Sequence, residues 1–159
     1  MTVLRRFLVL LALVFWQGGF LFYAAVVVPV GRAELGPDQS RVTRLVTVFL
    51  NLAGAAALLP FAWDIWATPS RRAGRWVCWL GMAAALPALV WLHDRIDAAI
   101  DSSTASVEDR RVFYPSHRWY LWISTAQWAF AMFFLLLSVG GWSDADRQRN
   151  LGHTIRGQV

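Results

Sequence analysis

The feature that most constrains this chain is the placement of its charges. Residues 7–31, 45–63, 76–92 and 119–143 carry none at all. A helix that crosses the hydrocarbon core of a bilayer needs about 20 predominantly apolar residues, within a range of about 17 to 25. Four stretches meet that requirement. The sequence therefore predicts an all-α integral membrane protein, an up-down-up-down four-helix bundle with spans at about 7–30, 42–66, 76–93 and 117–140. These make one transmembrane domain over 1–142, followed by a polar cytoplasmic tail over 143–159. Composition agrees, with 16% charged residues against about 25% in ordinary soluble domains.

Several function classes fall away at once. All 15 basic residues are arginine and the net charge is +5. Basic residues at span ends are what membrane insertion requires, so the charge does not point to nucleic acid. Cys78 is the only cysteine, which excludes a thiol–disulfide relay and leaves it as a small packing residue. The start, MTVLRR followed by apolar residues, has the polarity of a signal peptide. Its apolar run is 25 residues long, against about 7 to 15 for a signal core, so an uncleaved first span is expected.

Turn chemistry divides the spans. Pro29 lies near the end of the first, where a lost hydrogen bond matters least. Gly36-Pro37-Asp38 marks a turn, with Ser40 as an N-cap candidate. The short basic connection TPSRRAGR (68–75) makes a tight hairpin of spans two and three. Beyond Leu92, HDRIDAAIDSS keeps a helical rhythm, predicting a short helix along the membrane surface within a longer outer loop over 94–116. SSTAS is expected to be the least ordered part. Span four is expected to start at Ser116 after Pro115 and to stop at Gly140-Gly141, with a loosely ordered tail from Ser143.

Orientation rests on arginine. With the N-terminus in the cytoplasm, eight arginines lie inside and seven outside, and the dense Arg71/Arg72/Arg75 cluster favours an N-in, C-in arrangement in a bacterial cytoplasmic membrane. The tryptophans fall into two belts. Trp63, Trp66, Trp76, Trp79 and Trp142 mark one face, and Trp91, Trp119 and Trp122 the other.

Polar groups at membrane depth are functional candidates, because each must find a partner inside the bundle. Gln17 and Tyr23 on span one, Asn51 on span two, and Tyr120, Ser124 and Gln127 on span four define an outer-half polar pocket. His117, Tyr120, Ser124 and Gln127 recur at three- and four-residue spacing, as do Thr43, Thr47 and Asn51. The competing explanation is interhelical glue, at about 0.6 kcal/mol per bond.

A second constellation lies at the outer mouth, where His93, Asp97, Tyr114, His117 and Arg118 gather. Two imidazoles and a carboxylate suit zinc or iron, so His93, Asp97 and His117 form a candidate metal site. Alternatively both imidazoles ligate a haem whose propionates meet Arg95 and Arg118. The third reading is an interfacial network without metal or haem, and it is the preferred one.

The segment GGFLFYAAVVVPVGRAELG resembles small four-span bacterial membrane families of unknown function, the anthrone-oxygenase-like one among them. Those share an aromatic-rich first helix ending in a proline near the outer surface. The resemblance covers this segment and the four-span layout, and it implies an oxygenase without assigning any catalytic residue. On its residues alone, the chain reads first as a non-enzymatic bundle binding a small hydrophobic ligand or a membrane partner through the polar pocket. The alternatives are a metal- or haem-dependent redox enzyme, and a homo-oligomeric channel or transporter.

Overall fold

The structure, a computed structural model, describes residues 2–100 and 107–156, with side chains other than that of Pro37 through Leu151. It is an all-helical bundle. We number its long helices α1 (Thr2–Leu35), α2 (Gln39–Ala67), α3 (Arg72–Asp97) and α4 (Arg110–Arg156). Each contains a stretch long and apolar enough to cross a membrane. Among the described residues there is no strand, and an isolated antiparallel bridge joins Ile100 to Val107.

Helix α1 is not regular. Its backbone widens into π-helical turns at Val14–Gly18 and Tyr23–Val27. The second has a local cause: Pro29 has no N–H, and its ring crowds the carbonyl four residues back, that of Ala25. Widening the turn around Ala25 lets the helix run through the proline to Leu35 instead of ending near it. Gly36, with φ 55, then breaks the helix, and a 3₁₀ turn at Gly36–Asp38 leads into α2. That helix begins at Gln39 with Asp38 at its cap position, so Ser40 is not the cap.

Helix α3 passes Leu92 without a break and ends at Asp97. The expected surface helix is thus the last turn of α3 itself. The SSTAS stretch lies outside the described residues. Helix α4 begins at Arg110, well ahead of Ser116, because the Asp109 carboxylate accepts hydrogen bonds from the amides of Arg111 (2.9 Å) and Val112 (3.2 Å). That satisfies amide donors the helix itself cannot.

Gly140-Gly141 does not stop α4, and the expected loose tail is helical to Arg156. The two glycines serve close approach instead. A Cβ on Gly140 would lie 2.5 Å from Nη1 of Arg71, and one on Gly141 would lie 3.1 Å from the Ser70 carbonyl oxygen. The α2–α3 connection can therefore lie across α4. Arg71 holds a left-handed backbone there (φ 55), and its guanidinium bonds Asp144 at 3.1 Å.

The core gathers toward the start of α1. Val9, Leu13 and Trp16 meet Ala57, Phe61 and Ile65 of α2, Cys78 and Met82 of α3, and Ala131, Phe134 and Trp142 of α4. Phe61 stacks on Phe134 with ring centroids 4.7 Å apart. Gly54 is there for Trp16: a Cβ at that position would lie 2.7 Å from the indole.

Candidate functional site

The most polar part of the interior lies where α1 begins. Asp64 of α2 and Arg75 of α3 are both fully buried and paired with each other. Arg5 of α1 reaches the same carboxylate at 2.7 Å and the Thr68 hydroxyl at 2.8 Å. The indole N–H of Trp142 donates to Asp64 at 2.9 Å. Arg75 donates further to the Ser138 hydroxyl (3.1 Å) and the Thr68 carbonyl (3.2 Å). One carboxylate of α2 thus collects donors from the other three helices. Such a site is a clamp: its polar atoms are satisfied within the protein, and it leaves no open face for a substrate.

Around this clamp the charges pair in sequence-distant couples. Arg6 forks onto both oxygens of Asp146, at 2.7 and 2.8 Å, and lies over the Trp142 ring. Beyond the charge-free run of α4, Arg71 and Ser70 hold the Asp144 carboxyl below the usual carboxylate range, and Arg6 does the same to Asp146.

The expected polar pocket is a packed contact between helices. Tyr23 of α1 lies against Thr43 and Thr47 of α2, and Tyr120 of α4 lies beside Ser124, Thr47 and Tyr23. The Tyr23 hydroxyl is buried without a well-formed hydrogen bond. Ser124 donates to the Tyr120 carbonyl of its own helix at 2.8 Å. Gln127 is buried and donates across the bundle to the Met82 carbonyl at 3.2 Å, while Gln17 is buried and Asn51 half-buried. His117, expected to begin this inward stripe, is exposed. One helical face cannot be inward along its whole length when α4 starts outside the packed region.

At the other end of α3 the expected outer-mouth residues separate. His93 Nε2 lies 3.4 Å from Asp97, without a well-formed hydrogen bond, and Arg44 of α2 holds the same carboxylate at 2.6 Å. His117 stacks on Phe113 instead, and Tyr114 and Arg118 are exposed. Among the described residues, no three His, Cys, Asp or Glu side chains form a group able to hold a metal ion. The reason is plain. Asp97 is engaged by Arg44, and His117 points along its own helix to an aromatic ring.

What does open at this end is a groove of about 450 Å³ between α3 and α4. Ala88, Trp91, Leu92 and Arg95 form its α3 wall. On α4 it is lined by Arg111, Val112, Pro115, Ser116, Trp119 and Ile123. Neither His93 nor His117 lines it, nor does any residue of the expected polar pocket. Trp91 and Trp119 remain exposed at its edges, and the Arg95 guanidinium lies 4.9 Å from the Trp91 ring centroid. Apart from Arg95, Arg111 and Ser116, the lining residues are aliphatic or aromatic. The arrangement can hold an apolar chain and, at one end, an anion.

Two groups carried no sequence signal strong enough to single them out. Asp64 and Arg75 border charge-free runs and look like ordinary span flanks. Arg111 looks like one of several basic residues before a span. No family model, no curated protein and no solved structure matches this chain.

Proposed function

We propose that the protein is a multi-pass membrane protein that takes one apolar ligand from the bilayer into the groove between α3 and α4. The groove itself carries this reading, because it opens between two helices and its lining, apart from two arginines and a serine, is apolar.

Its surroundings support a lipid environment. Phe15, Phe49, Leu59 and Leu136 are 72%, 70%, 74% and 66% exposed. Large apolar faces of that kind are not left open to water in soluble monomers. The four helices then cross the bilayer up and down. The basic 68–75 connection supports an orientation with the Asp64 end and both termini in the cytoplasm and the groove at the outer surface. Trp91 and Trp119 at its edges suit the headgroup level, where an indole keeps its N–H wet.

The lining favours binding over catalysis. Among the described residues it contains no carboxylate, imidazole or thiol, and so no general acid–base pair and no activated nucleophile.

Native mass spectrometry of the detergent-purified protein tests the proposal. The parent should retain a one-to-one lipid-sized adduct, and Ala88→Phe, which fills the groove, should lose it while staying folded. Equal adducts on the parent and Ala88→Phe would place the ligand elsewhere.

A further inference from the structure

We infer that the occupant of the groove is an anionic phospholipid, its phosphate held between Arg95 and Arg111 and an acyl chain lying toward Ala88 and Ile123. This rests on reading the groove as a ligand site and names the class of ligand it takes.

Among the described residues, neither Arg95 nor Arg111 has a carboxylate partner. Two acids close to them in sequence are engaged: Asp97 by Arg44 at 2.6 Å, and Asp109 by the first amides of α4. Two guanidinium groups on facing helices, both lining one slot, leave a positive mouth over apolar walls. An arginine fork matches a phosphate in shape and charge, and such charge-assisted bonds are the strong ones.

Dimensions agree with a headgroup and the upper part of a chain. At the helical rise, Ala88 to Arg95 covers about 10 Å of α3, and Arg111 to Ile123 covers about 18 Å of α4. A free inorganic anion would use the arginines and leave the apolar walls uncovered. A zwitterionic lipid would fill the walls but bring a quaternary ammonium beside the two cations. An anionic phospholipid satisfies both, and the exposed tryptophans at the edges put the mouth at headgroup depth. A juxtamembrane cation attracts acidic lipid wherever it lies. The groove predicts more: Arg95 and Arg111 dominate over other arginines nearby.

The experiment is a native mass spectrometry titration in neutral detergent with short-chain phosphatidylglycerol, short-chain phosphatidylcholine and glycerol 3-phosphate. The parent should bind phosphatidylglycerol at least tenfold more tightly than phosphatidylcholine, which is about 1.4 kcal/mol. The Arg95→Gln/Arg111→Gln variant should bind the two lipids alike, and both more weakly than the parent does, because each carries a phosphate. Should that variant fail to fold, Arg111→Gln alone, at an exposed position, should reduce the preference at least threefold. Arg118→Gln, outside the groove, should leave it unchanged.

Equal binding of the two lipids by the parent would overturn the headgroup assignment, as would a preference that survives the double variant. A preference lost with Arg118→Gln would mean diffuse surface charge. Displacement of the lipid by glycerol 3-phosphate would mean a site for soluble anions. If the lipids bind equally and Ala88→Phe still abolishes both, the groove remains a ligand site and the headgroup assignment fails alone. If Ala88→Phe changes neither, both fail.

Discussion

At the residue scale, Asp64 carries more of this molecule than any other single side chain. It is the shared acceptor for Arg5, Arg75 and Trp142, so its loss leaves a fully buried guanidinium without a counter-charge. Removing one partner of a buried ion pair costs about 3–5 kcal/mol. Asp64→Asn should therefore lower the unfolding midpoint in detergent sharply. Arg44→Gln breaks a pair whose arginine side chain is 56% exposed, and it should cost under about 1 kcal/mol. Comparable shifts for the two would mean the clamp is not what ties the helices together. Little of this was legible in the sequence. Asp64 and Arg75 each stand at the edge of a charge-free run, where solvated flanking charges also stand. Only the convergence of four helices buries them, and no local pattern encodes that convergence. Gln127 was legible, because an amide deep in an apolar helix must turn inward to find a partner.

At the element scale, glycine was the misleading residue. Gly140-Gly141 has the signature of a helix stop, yet α4 runs through it, because close approach by another segment selects the same residue as a C-cap does. Gly54 separates the two uses experimentally. Gly54→Ala drives a Cβ into the buried Trp16 ring and should destabilise by about 1–3 kcal/mol, as overpacking of a core does. Gly18 has nothing within 4 Å of an added Cβ. Gly18→Ala should be neutral or stabilise by up to about 1 kcal/mol. Thermal unfolding of both variants in one detergent checks the contrast, and a large loss for Gly18→Ala would mean the first widened turn of α1 needs its glycine. The four helices themselves were legible from charge spacing alone. Their ends were not, since α1 passes Pro29 by widening a turn and α4 starts early on an Asp109 cap.

At the scale of the whole molecule, packing is uneven. Interlocked aromatic and aliphatic side chains fill the bundle around Phe61 and Phe134, while a groove stays open between the far part of α3 and the first turns of α4. Tryptophans 91 and 119 stood out in the sequence as belt residues. That they edge a slot follows only from the separation of two helices, which residue spacing does not report. The proposed topology makes its own prediction. A reporter active only outside the cytoplasm should give signal when fused at position 105 and none after Val159, and the reverse pattern would invert the orientation.

The most direct test of the groove is photolabelling in membranes with a phosphatidylglycerol that carries a diazirine on its acyl chain. If the groove holds the lipid, peptide mapping should find label concentrated on Leu92, Val112 and Ile123, and Ala88→Phe should abolish that label. Label spread evenly over exposed residues such as Phe49, Leu59 and Leu136, unchanged by Ala88→Phe, would contradict the account.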